Sequence, residues 1–227
     1  MARYALFYTP PPGSRLAEVG NRWLGYDVAT GETVPQPEVP GLDVAAVTAA
    51  ARPYGFHGTL KAPFELAEGG TEEELLAAVA DFAAARAPVK APPPRLGTLG
   101  GFVALVPSAP CPALDALAAD VVRTFDPFRA PLSDRDRARR NPSALSDRQR
   151  ALLEQWGYPY VMDEFRFHMT LTGNLDPATR DRALAALAPR ATPLADDPLA
   201  IDALSLVWQP ERREPFRGLA RHPFAGA

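Results

Sequence analysis

The chain alternates between stretches with a two-residue apolar period and stretches with a helical one. Arg3 to Tyr8 is rich in β-formers and stops at Thr9-Pro10-Pro11-Pro12-Gly13, a turn signal. Ser14 is placed to cap a helix to about Leu24, with Leu16, Val19, Trp23 and Leu24 on one stripe. Gly25 to Gly41 reads as a loop. Leu42 to Ala51 reads as a short helix ended by Pro53. A strand follows, and Pro63 is expected to end it. Thr71-Glu72-Glu73-Glu74 is a capping box opening a helix to about Ala87.

Arg95 to Leu99 and Phe102 to Val106 form a hairpin about Gly100-Gly101. Pro112 to Phe125 is helical, with Leu114, Leu117, Val121 and Val122 inward. Asp126 to Asn141 is irregular or partly helical. Ser146-Asp147-Arg148-Gln149 is a second capping box, opening a helix that ends near Trp156-Gly157. A second strand follows, then a helix from Asp176-Pro177 to about Ala188. Leu199 to Trp208 and Phe216 to Ala220 are read as the last strands.

Two of these strands carry the same pattern. One reads Tyr54-Gly55-Phe56-His57-Gly58-Thr59-Leu60-Lys61, the other Phe165-Arg166-Phe167-His168-Met169-Thr170-Leu171-Thr172. Each runs aromatic, His, any residue, Thr, Leu. Two of the chain's 3 histidines lie in this frame, at 57 and 168. Strand alternation puts His57, Thr59 and Lys61 on one face, with Phe56 and Leu60 on the other. It likewise groups Arg166, His168, Thr170 and Thr172 against Phe167, Met169 and Leu171. A half-buried strand with a solvated face reads the same way, but here the motif occurs twice. Each motif strand is followed by a helix and two strands. This resembles a duplicated unit whose two sheets, with helices outside, face each other across a cleft.

Composition sets limits. The 227 residues are 47% hydrophobic and 22% charged, an ordinary globular chain of one or two domains. Net charge is −3, so any anion site must be local. The single cysteine, Cys111, has no partner for an internal disulfide, which fits a reducing compartment. No apolar run approaches the roughly 20 residues of a membrane helix, and the N-terminus is too short an apolar stretch for a signal peptide. The expectation is a cytoplasmic protein with no membrane contact and no obligate protein partner.

Two facing imidazoles suit proton transfer near neutral pH, one ring neutral and the other charged. Hydroxyls two residues on, about 6 to 7 Å along the face, can donate to phosphoryl oxygens. Lys61 is next on its face and would add a cation. A metal centre would need a third ligand, and His222, in Arg221-His222-Pro223, matches no motif. No metal or cofactor is therefore expected. Residues 129–150 hold seven arginines against three aspartates, a local +4. They form either a solvated helix face or a lid that collects a phosphorylated substrate. Tyr158 and Tyr160 follow, placed to stack on a base or sugar or simply to pack.

The paired His-x-Thr motif resembles that of the two-histidine (2H) phosphoesterases, which include bacterial RNA 2′,3′-cyclic phosphodiesterases and related ligases. The chain is most similar to a branch encoded beside phosphonate-degradation genes. The likeness covers nearly the whole chain and includes Trp23-Leu24-Gly25, the run from Phe56 to Phe64, and the run from Trp156 to Val161. It implies an α+β fold of two pseudo-twofold lobes, each an antiparallel sheet with outer helices, facing across a central cleft. The chain would be one bilobal domain with shared strands, its motif halves near 42–110 and 146–227. The resemblance also implies that His57 and His168 are catalytic, with Thr59 and Thr170 on phosphate, and that Arg139 and Arg140 bind substrate. The expected activity is a metal-independent phosphodiesterase on a cyclic or linear phosphodiester of a ribose-containing small molecule. The alternatives are an RNA 2′,3′-cyclic phosphodiesterase and a non-catalytic binder of phosphorylated nucleotides or RNA ends.

Overall fold

The computed structural model describes residues 2–226. The strands are β1 (Arg3–Tyr8), β2 (Tyr26–Asp27), β3 (Glu32–Thr33), β4 (Gly58–Phe64), β5 (Val89–Ala91), β6 (Pro94–Leu99), β7 (Phe102–Pro107), β8 (Met169–Thr170), β9 (Leu199–Ile201), β10 (Ala203–Gln209) and β11 (Arg217–Pro223). The helices are α1 (Arg15–Leu24), α2 (Val44–Thr48), α3 (Glu72–Ala84), α4 (Pro112–Phe125), α5 (Asp134–Arg139), α6 (Asp147–Trp156) and α7 (Pro177–Ala191). The fold is α+β. One seven-stranded antiparallel sheet runs β11-β10-β1-β4-β8-β7-β6.

Helix ends follow local chemistry. Ser14 accepts from the Ala17 amide, and Gly25 closes α1 in the left-handed region. Thr71 with Glu74 and Ser146 with Gln149 both form full capping boxes, at α3 and α6. The apolar stripes of these helices then choose the face they bury.

That face is the even side of β1. Tyr4, Leu6 and Tyr8 share a core with Trp23 and Leu24 of α1, Leu75, Val79 and Phe82 of α3, Leu114, Leu117 and Val121 of α4, and Leu187 of α7. The odd side of β1 faces the other way. Ala5 and Phe7 pack there with Tyr26, Val28, Val207 and Phe216 in a smaller cluster. The site lies on this second face.

The two motif strands are neighbours. β4 and β8 join through the pair Gly58 and Met169, so the motif strands lie in one sheet rather than in two facing sheets. Each is followed by a helix and three strands, one more than expected, because short β5 and β9 precede the hairpins. The hairpins cross over. β4 lies with β1 and the later hairpin β10–β11, while β8 lies with the earlier hairpin β6–β7. β5 and β9 pair antiparallel with each other. β4 also continues through Pro63 to Phe64, where a stop was expected.

Candidate functional site

The histidines are set by main-chain carbonyls. His57 Nδ1 lies 2.9 Å from the Gly55 carbonyl, and His168 Nδ1 lies 2.7 Å from the Arg166 carbonyl. A carbonyl only accepts, so in both rings Nδ1 carries the proton. Both Nε2 atoms are left as acceptors. The two motifs therefore share a tether to the residue two before each histidine. Gly55 makes the first one possible: its φ of 68° is in the left-handed region, and a Cβ there would strike Val28.

The register then fixes the faces. Gly58 lies across from Met169, so the antiparallel ladder carries His57 toward Thr170 and Thr59 toward His168. Thr59 lies across from Phe7, on the odd face of β1, and Phe7 stacks on His57 with ring centroids 3.7 Å apart. Phe167, Met169 and Leu171 point into the opposite, helix-side core. Thr59 and His168 line one cavity, and each histidine stands immediately before its strand. Thr59 Oγ1 is 3.0 Å from His57 Nε2, and with that nitrogen an acceptor the hydroxyl donates.

Burial sets the charge state. His57 is 9% exposed, and desolvation is the main cause that pushes its pKa down to about 4. The Gly55 bond opposes the shift, and His168 adds to it. Burial also lowers the His168 pKa, against the bond to Arg166. The sequence expectation was one neutral and one charged ring; without a ligand, both are held toward neutrality.

A cavity of about 510 Å³ opens over β4 and β8, lined by Thr59, His168, Phe102, Tyr158, Tyr160 and Arg166. Aliphatic Leu60, Leu99 and Val161 line it as well, so polar and apolar groups meet there.

Residues 59–217 match the family described as a protein of unknown function, DUF1045. The chain belongs to this family. The match takes in Thr59, His168 and Thr170 and begins two residues after His57. The chain is 42% identical to a protein of Janthinobacterium sp. (strain Marseille) over all of its length and 51% of that protein's. It is 35% identical to one from Laribacter hongkongensis (strain HLHK9), over 95% of this chain and 50% of that one. Both relatives are named ribose 1,5-bisphosphate phosphokinase PhnN. The chain spans about half the length of these curated relatives.

These names overturn the phosphodiesterase expectation. A phosphokinase passes a phosphoryl group between molecules; a hydrolase gives it to water. The RNA 2′,3′-cyclic phosphodiesterase alternative falls with it, and so does a non-catalytic role for the binder of phosphorylated nucleotides. The physical reason is plain: paired imidazoles and hydroxyls specify a phosphate and a movable proton, and do not specify what accepts the phosphoryl group.

Not every candidate reaches the face of the DUF1045 site. Lys61 does not. β4 has a bulge at Leu60, since Phe7 pairs with Thr59 but Leu6 with Lys61. Leu60 and Lys61 therefore both turn to the helix side. There Lys61, 3% exposed, holds Asp126 and the Val122 carbonyl, each at 3.3 Å. Thr172 is also withdrawn: it accepts from the Val103 amide and donates to the Gly173 carbonyl. Arg140 lies over the Tyr158 ring at 4.6 Å, and Tyr158 lines the cavity, but Arg140 itself lines a separate one. Arg139, the last residue of α5, lines that second cavity too. Trp23 donates from Nε1 to the Leu171 carbonyl at 2.9 Å, tying α1 to the second motif. Phe7 and Tyr54 are site residues that the sequence reading passed over. Parity along β1 was the available signal for Phe7, and its place beside the motif for Tyr54.

Among the described residues, no helix is long and apolar enough to cross a membrane.

Proposed function

We propose that the cleft over β4 and β8 binds a phosphorylated pentose and moves a proton on it, within a phosphoryl-transfer protein of the kind its relatives are named for. The observation that carries this is the matched tether. Both Nδ1 atoms are spent on main-chain carbonyls, which leaves both Nε2 atoms as acceptors, that of His57 held by the Thr59 hydroxyl until a ligand takes the hydroxyl away. In this reading Thr59 and Thr170 donate to phosphate oxygens. As Thr59 turns to the phosphate it releases His57 Nε2, which takes the proton of the sugar's attacking hydroxyl as that oxygen bonds to the terminal phosphorus of a nucleoside triphosphate held outside this chain, while the bond from that phosphorus to its bridging oxygen breaks and the nucleoside diphosphate leaves with the electron pair. His168, protonated in the field of the bound dianion, balances charge. Tyr158, with Arg140 behind it, packs on the sugar.

The sequence has no Gly-Lys pair, hence no G-x-x-x-x-G-K-[ST] phosphate loop. The reading accordingly gives this chain the sugar phosphate and not the nucleotide. The same reading treats 1–227 as one domain of two pseudo-twofold lobes meeting at Gly58 and Met169, as the two-histidine resemblance implies. The crossed β5–β9 pair supports it. So does the PhnN name of the relatives, for a place in phosphonate-linked chemistry.

Calorimetry with ribose 1,5-bisphosphate and with ribose tests it. The wild type should bind the bisphosphate and not the free sugar. His57→Ala and Thr170→Val should each weaken binding by about tenfold or more. Equal binding of ribose, or full affinity in both variants, would refute the reading.

A further inference from the structure

A second cavity of about 100 Å³ lies at the other end of the same sheet face. Arg3, Arg129, Arg139, Arg140 and Arg212 wall it, with Glu65 and Asp136. Five cations against two anions leave +3 in a chain of net −3. The carboxylates are already engaged. Arg212 bonds Asp136 at 2.6 and 2.7 Å and Glu65 at 2.9 Å. Arg129 bonds Asp126 at 2.8 Å. Arg139 reaches Asp136 only at 3.8 Å.

Arg3 decides the matter. It is 7% exposed, and its Nε donates at 2.9 Å to Oε1 of Gln209, a neutral amide. Among the described residues it forms no ion pair with a carboxylate. Burial is the main cause that depresses its pKa; the neighbouring Tyr54 hydroxyl opposes the shift, and Arg212 and Arg139 add to it. A buried guanidinium facing other cations is costly unless an anion compensates it.

We infer that this cavity is a second phosphate site, in which Arg3, Arg139 and Arg212 take one phosphate group. Planar guanidinium donors suit phosphate oxygens. Arg3 and Phe7 lie on the same odd face of β1, about 13 Å apart along the strand. Aromatic rings fill the gap. Arg3 lies over Phe216 at 5.6 Å, Phe216 stacks with Tyr54 at 5.3 Å, and Tyr54 stacks toward His57 at 6.4 Å. The phosphate is either the far end of a bisphosphorylated ligand in the cleft or a separate anion. The inference does not rest on the cleft's reaction, because the uncompensated charge of Arg3 stands without it.

The test is titration with inorganic phosphate and with ribose 1,5-bisphosphate, read by calorimetry and by melting temperature, on the wild type, Arg3→Met, Arg139→Gln and His57→Ala. Inorganic phosphate should bind the wild type and raise its melting temperature. Its affinity should drop roughly ten- to a hundredfold in Arg3→Met and Arg139→Gln. Without phosphate, Arg3→Met should melt no lower than the wild type, because a buried unpaired charge is gone. A purely structural Arg3 would give a lower melting temperature and unchanged phosphate binding, which overturns the inference. If Arg3→Met does not fold, Arg139→Gln decides, since that side chain is 53% exposed. Bisphosphate affinity lost in both His57→Ala and Arg3→Met means one ligand spans the two sites; loss only in the arginine variants means the pocket stands and the cleft reading fails. No phosphate binding by the wild type overturns the pocket.

Discussion

Phe7 lies flat against His57, ring centroids 3.7 Å apart and planes within 22°. The contact seals one side of the imidazole from water, and so favours the neutral ring. The folded protein resists protonating His57 until about pH 4, whereas an unfolded chain takes that proton near 6.5. Between those values the unfolded state binds more protons, so stability falls as pH drops from 6.5 toward 4. The loss is on the order of 3 kcal/mol. Urea unfolding of the wild type and His57→Gln at pH 7 and pH 4.5 checks it. The wild type should lose more stability between the two, and equal losses would contradict the account.

Gly58 leaves room for Phe167. A Cβ at Gly58 would collide with that ring, which is buried beneath the β4–β8 pair. Gly58→Ala should cost about 1 to 3 kcal/mol by overpacking. Adding Phe167→Leu should recover part of it, because the two sites touch. Thermal melts of the two single variants and the double variant measure this. Strict additivity would show that the collision is relieved elsewhere.

Lys61 belongs to the helix side. Its buried ammonium is held against Asp126 at 3.3 Å, and desolvation lowers its pKa to about 8. Asp126 keeps Arg129 if Lys61 is removed. Lys61→Met should therefore leave phosphosugar affinity unchanged within about twofold and shift stability by no more than about 1 kcal/mol. A large affinity loss with stability intact would return Lys61 to the site.

Much of this was readable from residue order. The caps at Ser14, Thr71 and Ser146 are local chemistry, and the helices they start lie where the sequence put them. The shared parity of His57 with Thr59 and of His168 with Thr170 needs only strand alternation. Lys61 fails the same rule because a one-residue bulge at Leu60 changes the faces, and a bulge depends on how β1 and β4 pair. The joining of β4 to β8, the stacking of Phe7, and the gathering of Arg3 and Arg212 with α5 are contacts between distant segments. Sequence periodicity carries no information on them. The reaction class was misjudged because the same groups serve water and other acceptors alike.

The most direct measurement is ¹⁵N NMR of the two imidazoles during titration with ribose 1,5-bisphosphate at pH 7. In the free protein both rings should show the neutral form protonated at Nδ1, as the Gly55 and Arg166 carbonyls require. On adding ligand, the Nε2 resonances of His57 and His168 should move together, at one concentration, with at least one ring gaining a proton. Movement of only one ring, or of neither while the ligand binds elsewhere, would contradict a shared two-histidine site.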